Sequence, residues 1–184
     1  MSSELSEIKK GLKAEKHSRQ YKRDAEKHII ISMNVKDDDD FLSVFSQSST
    51  PVINNNVAEF IENSTMNISP SEKLTLEICS NCIDDKEKAD YKAAIKEYFT
   101  EKYIANQHEM KRNTIIAALL ALTGFIILAL AICVKNVVWA ELIDIIAWVF
   151  LWEAVDINFF RNKSLRLKQR RYLSYITMNI IYTK

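Results

Sequence analysis

TIIAALLALTGFIILALAICV, residues 114–134, is a run of 21 residues without a charged side chain. At the rise of an α-helix it measures about 31 Å, close to the thickness of the hydrocarbon core of a bilayer. The sequence therefore predicts a first transmembrane helix over this run. The alternative is a core helix buried inside a soluble protein.

A second apolar segment follows over residues 137–160. It contains all three tryptophans of the chain, and four carboxylates interrupt it. Its two ends carry Trp139 and Phe159–Phe160, and aromatic rings favour the membrane interface. Only Lys135 and Asn136 separate the two apolar segments. We therefore expect two transmembrane helices, at 114–134 and 137–160, joined by a tight turn.

Basic residues predict how this pair of helices is oriented. Lys111 and Arg112 precede the first segment, and residues 161–184 contain seven basic and no acidic residues. The turn between the segments has a single lysine. Since basic residues concentrate on the cytoplasmic side, both termini are expected in the cytoplasm.

Residues 1–113 predict a cytosolic sensor or assembly domain. The patterns indicate a charged helix at 3–28, a strand at 28–35, a short helix at 57–63, a strand at 73–79 and a long helix at 83–113. The chain has only two Gly and two Pro. None separates the long helix from the first apolar run, so we expect one continuous or barely broken helix into the membrane.

The basic tail at 161–184 has β-branched and aromatic residues over 172–183, which favour a strand, although a helix is the alternative. Such a strand would complete a small mixed sheet with the other two. The expected fold is an oligomeric α+β membrane protein, with a two-helix transmembrane hairpin and a mainly helical cytosolic domain that contains a small sheet.

The carboxylates of the second segment are the sharpest functional feature. At 100° per residue, one helix face collects two of them together with two tryptophans. The candidates for a pore or ion pathway are Glu141, Asp144, Trp148, Trp152, Glu153 and Asp156. In an oligomer this face could border a cation-permeable pore. Alternatively, Glu153 and Asp156 anchor the segment by pairing with Arg161 or tail arginines, and Glu141 and Asp144 lie exposed at the outer interface.

Basic residues after the second segment are candidates for binding an anion or ligand at the inner surface. They are Arg161, Lys163, Arg166, Lys168, Arg170 and Arg171. Anionic lipid headgroups are the simplest partner for them, and a nucleotide or oligonucleotide is the more specific alternative. No aromatic stacking motif accompanies these cations.

Smaller motifs add little chemistry. Ala117, Ala121 and Gly124 predict close helix packing, within one chain or between chains. Cys79 and Cys82 are interpreted as ordinary reduced cysteines, with a redox or metal site as the alternatives. The chain shows no phosphate loop, nucleophile elbow or metalloprotease motif. We therefore expect no enzymatic activity, no catalytic residue, no metal and no cofactor.

The segment AWVFLWEAVDINFF (147–160), followed by RNKSLRLKQRRYLSYI (161–176), resembles the ending of small bacterial membrane proteins. Trp152, Glu153, Val155 and Asp156 match their motif. The architecture is also similar to two-span effectors of bacterial anti-phage defence, and in particular it resembles the effector subunit of Hailong-type systems.

That resemblance implies an oligomeric ion channel in the bacterial inner membrane that depolarises the cell when open. It also implies nucleotide sensing, with a cyclic or oligonucleotide signal as the ligand and a nucleotidyltransferase encoded alongside as a partner. The alternative function is a non-conducting, membrane-anchored adaptor or sensor that binds a protein partner.

Overall fold

The computed structural model describes residues 21–37, 39, 41–46 and 51–183. The protein is mostly helical and has one small sheet. Three strands form it: β1 (Ile29–Asn34), β2 (Leu74–Cys79) and β3 (Asn179–Thr183), in that order across the sheet. The described residues also contain four α-helices: α1 (Asn55–Ser64), α2 (Asp85–Ile132), α3 (Val137–Asp156) and α4 (Asn162–Ile176).

The expectation of a mixed sheet was wrong, because both strand pairings are parallel. Each parallel connection needs a crossover, and the chain supplies helices for both. α1 lies between β1 and β2, and the long excursion from α2 to α4 lies between β2 and β3.

Two helix boundaries also differ from expectation. The helix expected at 3–28 lies largely outside the described residues, and over 21–28 it is wrong. There the chain turns back on itself, with a bridge between Arg23 and Ile29 and a positive φ of 66° at Lys27. The strand expected at 172–183 begins only at Asn179, because the preceding residues complete α4, whose Tyr175 is buried in the core.

The core lies between the sheet and the amino-terminal half of α2. Leu76 and Ile78 of the central strand are fully buried, as are Ile95 and Phe99 of α2. The Phe99 ring lies 4.7 Å from the ring of Tyr175, measured between centroids. α4 is thereby fastened to the same core that holds the sheet.

The 48 residues of α2 form one uninterrupted helix, as its lack of Gly and Pro in the first half predicts. It begins at a capping box, in which the Asp84 side chain accepts from the backbone of Glu87 and the Glu87 carboxylate accepts from the Asp84 N–H. At helical rise it is about 72 Å long. It joins the core beside the sheet directly to the apolar run.

The apolar half of α2 is the one helical stretch, among the described residues, that is long and apolar enough to cross a membrane. Only 11% of its most apolar window is buried in the chain. A core helix of a soluble protein would be largely buried. The packing among the described residues therefore does not favour the alternative that this run is such a core helix.

α3 runs back along α2 after a short turn at Cys133–Asn136, where the Asn136 side chain caps the new helix. Small residues allow the two helices to pack closely. Ala117 of α2 is buried against Ala154 of α3, and a Cβ at Gly124 would lie 2.9 Å from the Leu151 Cγ. The small residues of the first apolar run therefore serve packing within the chain.

Candidate functional site

Glu153 and Asp156, the two carboxylates nearest the end of α3, are held by one arginine. The Arg161 Nη2 atom lies 2.7 Å from the Glu153 Oε1 atom, and the Arg161 Nε atom lies 3.2 Å from the Asp156 Oδ2 atom. This is the anchoring arrangement that the sequence offered as one of two interpretations. We call these three residues the carboxylate–arginine cluster.

A π-helical turn at Ile157–Arg161 creates this cluster. In a continuous α-helix, Arg161 would lie about 80° around the axis from Glu153 and about 140° from Asp156. Over a wider turn of roughly 82° per residue, Arg161 comes to within about 10° of Glu153 and about 50° of Asp156. The additional residue in the turn therefore aligns the guanidinium with both carboxylates.

The cluster faces away from the packed interior of the chain. The exposed fractions of the three side chains are 45% for Glu153, 39% for Asp156 and 57% for Arg161. Fully hydrated ion pairs of this kind contribute about 1 kcal/mol or less. The same pairs are stronger where a membrane or a second subunit lowers the local dielectric constant.

Three of the remaining pathway candidates, Glu141, Trp148 and Trp152, lie on the face of α3 that is turned away from α2, whereas Asp144 lies about 60° around the helix from the buried Ala147 and borders the packed face. Trp148 and Trp152 are 59% and 69% exposed, whereas Ala147, on the opposite face, is fully buried. Glu141 is exposed and Asp144 is half-buried. Within the described part of the chain, neither of these two carboxylates has an ion-pair or hydrogen-bond partner. Their charges are therefore uncompensated within the described residues.

Buried asparagines join α2 to α4 just beyond the apolar helices, and the sequence analysis did not identify them. The Asn106 Nδ2 atom donates to the Leu165 carbonyl over 2.9 Å, and the Asn162 Nδ2 atom donates to the Thr114 hydroxyl over 3.3 Å. Asn106 lies seven residues after the buried Phe99, two helical turns along the same face. A polar residue at the spacing of the buried helix face is the signal from which Asn106 could have been predicted.

The basic candidates do not form a single site. Arg161 belongs to the carboxylate–arginine cluster, and Arg171 donates from Nη2 to the Met66 carbonyl over 2.8 Å. Four others are exposed on α4 and make no ion pair within the described ranges: Lys163, Arg166, Lys168 and Arg170. α4 thus presents cations on several sides, with no acidic residue of its own.

Some of these cations line two clefts in the domain that contains the sheet. One, of about 590 Å³, lies at the amino ends of the strands, where His28, Lys73 and Arg170 line it. Its neighbour Asp24 hydrogen-bonds with the Thr75 hydroxyl. Desolvation alone would raise the pKa of Asp24, but hydrogen bonds from the His28 backbone and from Thr75 outweigh it, so its pKa lies below the usual value.

The second cleft, of about 240 Å³, lies between α1 and α4, where Lys168 and Arg171 face Glu62. The cysteines lie elsewhere: Cys79 accepts a hydrogen bond from the Thr183 hydroxyl over 3.2 Å, and both Cys79 and Cys82 are free thiols. The described residues contain no group of three or more His, Cys, Asp or Glu side chains arranged to hold a metal ion.

The chain matches no protein-family model, and comparisons with curated proteins and with solved structures give no significant match either.

Proposed function

We propose that this protein is an oligomeric effector of the bacterial inner membrane that forms a gated ion channel. In this proposal, the apolar half of α2 and the whole of α3 cross the membrane as a two-span hairpin, with both termini in the cytoplasm. The cytosolic domain controls the opening of the pore, and opening depolarises the membrane. The chain has no enzymatic role.

The observation that carries the proposal is the outward face of α3. Glu141 and Asp144 lie about 6 Å and 10 Å along the helix from Val137, at helical rise. A carboxylate at such a depth is costly if it faces lipid, and it usually faces protein or water instead. Within the described residues nothing covers Glu141, and Asp144 is only half-buried, so association with other subunits is an arrangement that would remove both from lipid.

Two helices cannot enclose a water-filled path, which is why the proposal requires an oligomer. With the tryptophan and carboxylate face of each subunit turned inward, the assembly would hold rings of acidic side chains. Such rings favour cations in a pore. The exposed large apolar side chains on the other helix of the hairpin, such as Leu119 and Phe125, would then face lipid.

Control by the cytosolic domain is supported by two continuous connections. α2 passes from the core residue Phe99 to the apolar run without a break, and α3 continues through the π-helical turn into α4 and β3. The asparagine contacts from Asn106 and Asn162 fasten these two connections to each other. A displacement of the sheet domain would therefore move both membrane helices.

A role in anti-phage defence follows from the architectural resemblance to two-span defence effectors. Under that proposal, the signal is a cyclic or oligonucleotide ligand supplied by a nucleotidyltransferase encoded alongside. The cations around the two clefts of the cytosolic domain support binding of an anion there.

The test is inducible expression in a bacterium with a voltage-sensitive dye. The wild type is expected to depolarise the cells, and Glu141→Gln/Asp144→Asn is expected to reduce the effect at equal expression. Glu97→Gln/Glu101→Gln is the control, since it removes two exposed charges from the cytosolic part of α2. Equal depolarisation by all three proteins would remove the outer carboxylates from the pathway.

A second candidate is a non-conducting, membrane-anchored adaptor that binds a protein partner. The carboxylate–arginine cluster favours it, because Arg161 already compensates part of the acidic charge without another subunit. Mass measurement of the purified protein in detergent separates the two functions. A monomer throughout the accessible concentration range would contradict the channel, and a defined oligomer would favour it over the adaptor.

A further inference from the structure

A groove of about 290 Å³ runs along the surface between α2 and α3, near the end of the hairpin that continues into the cytosolic domain. Its walls include Thr114, Ala118, Ala121, Val155, Asn158 and Phe159. From Thr114 to Ala121 it extends about 10 Å along α2. The small alanine side chains leave this space open between two helices that otherwise touch.

The groove is polar at one end only. Its deeper part has alanine, valine and phenylalanine walls, and its cytosolic end has Thr114 and Asn158. The Thr114 hydroxyl already donates to the Met110 carbonyl and accepts from Asn162. The Asn158 side chain is exposed and makes no hydrogen bond among the described residues. This amide is free to bind a polar group that enters the groove.

Cations lie one helical turn beyond the polar end. Lys111 precedes Thr114 by three residues on α2, and Lys163 follows Phe159 by four. Across the π-helical turn, those four steps add to about 360°, so Lys163 lies above Phe159 on the same face. Both lysines are exposed, and neither forms an ion pair in the part of the chain that the structure describes.

We infer that this groove binds an anionic phospholipid. One acyl chain lies against Ala118 and Ala121, the ester region meets Asn158, and the phosphate lies between Lys111 and Lys163. Along the groove, the apolar wall, the amide of Asn158 and the two lysines follow one another in the same order as the acyl chain, the ester and the phosphate of such a lipid. The inference rests on the proposed membrane location, but it requires neither conduction nor a particular ligand in the cytosol.

The test uses the full-length protein in detergent, with native mass spectrometry to count bound phosphatidylglycerol against phosphatidylcholine. The wild type is expected to retain phosphatidylglycerol preferentially. Lys111→Gln/Lys163→Gln is expected to reduce that preference roughly thirtyfold, from the usual contribution of two lysines at an anionic surface. Lys86→Gln/Lys92→Gln removes two charges from the far end of α2 and should leave the preference unchanged.

Filling the groove tests the acyl-chain part. Ala118→Phe places a ring in the groove from an exposed position, and it is expected to reduce retention of both lipids while the melting temperature stays near that of the wild type. Unchanged lipid retention in both the Ala118→Phe and the lysine variants would overturn the inference. A loss of oligomer in Ala118→Phe, with lipid retention intact, would also overturn it and assign the groove to a second copy of the chain.

Conduction by the same preparations separates this inference from the proposed function. A wild type that selects phosphatidylglycerol through Lys111 and Lys163 but carries no current would support the lipid site and count against the channel. A conducting wild type without lipid selectivity would support the channel and count against the lipid site.

Discussion

Replacing Gly124 by alanine tests the packing of α2 against α3. A Cβ at this position would lie 2.9 Å and 3.0 Å from the Leu151 Cγ and Cδ2 atoms, and 3.1 Å from the Ala147 carbonyl oxygen. The first two contacts involve a side chain that can move. The third involves backbone, so the two helices would have to separate by a few tenths of an ångström, a shift that costs packing along the whole contact.

The expected magnitude is the balance of two terms. Alanine is more favourable than glycine in a helix by about 1 kcal/mol, while added atoms in a close-packed contact cost about 1–3 kcal/mol. We expect Gly124→Ala to destabilise the protein by about 1 kcal/mol. In a Leu151→Ala background the two side-chain contacts are gone and only the contact with the Ala147 carbonyl remains, so the same substitution should be close to neutral. The coupling between the two positions is then about 1 kcal/mol.

The assay is reversible unfolding of the purified protein in mixed micelles, with the four proteins of the double-mutant cycle measured side by side. Ala129→Val is a matched control, because it adds methyl groups at an exposed position of the same apolar run. A coupling below about 0.5 kcal/mol would mean that Gly124 and Leu151 do not share a contact. That result would refute the pairing of α2 with α3 on which the proposed hairpin depends.

Three further predictions concern the polar contacts. Asn106→Leu should cost about 1–2 kcal/mol of unfolding free energy because it deletes the bond to the Leu165 carbonyl. Asn162→Leu should cost less, because it deletes the longer bond to Thr114 but also removes an Oδ1 atom that is buried without a partner among the described residues. Burial raises the pKa of Tyr182 to about 12, whereas a tyrosine in the unfolded chain has a pKa near 10. The buried neutral phenol therefore stabilises the fold fully below about pH 10, and this stabilisation is lost as the pH rises towards 12. Tyr182→Phe should make the fall of melting temperature over that pH range less steep, and an unchanged fall would contradict the assignment. Arg161→Lys should not restore the stability lost in Arg161→Gln, because an ammonium cannot reproduce the two separate guanidinium contacts; full recovery in thermal unfolding would show that charge alone matters.

Much of the fold was predictable because its local patterns agree with its packing. The absence of Gly and Pro between residues 83 and 113 predicted the continuous α2, and the uncharged run predicted its apolar half. The direction of the strands was not predictable in this way. Whether β1 and β3 run parallel to β2 depends on crossovers between residues far apart in the chain, and strand composition carries no information on that choice.

The end of α4 shows why local bias failed in the tail. Residues 172–176 have the aromatic and β-branched composition of a strand, but Tyr175 packs on Phe99 and its hydroxyl lies 2.6 Å from the Thr65 hydroxyl. Burial of that ring outweighs a preference that amounts to a fraction of a kcal/mol per residue. The position of Arg161 was unpredictable for a related reason, since a π-helical turn changes the angular register and leaves no clear sequence signature.

The cluster changes which carboxylates should determine ion selectivity in the proposed pore. At the inner end of α3, two carboxylates and one guanidinium leave a net charge of −1 per subunit, and the guanidinium contacts both acids. At the outer end, Glu141 and Asp144 contribute −2 without a partner among the described residues. The field of a ring grows with its unpaired charge, so the outer pair should dominate.

We therefore expect Glu141→Gln/Asp144→Asn to shift the reversal potential of reconstituted protein in a salt gradient more than Glu153→Gln/Asp156→Asn does. Arg161→Gln should shift the reversal potential in the opposite direction. It removes the guanidinium that compensates Glu153 and Asp156, so the preference for cations should increase. A larger effect from the inner pair would mean that Arg161 leaves the cluster when subunits assemble. In that case the π-helical turn would serve a resting state of the chain, and the opened state would have a different arrangement at the end of α3.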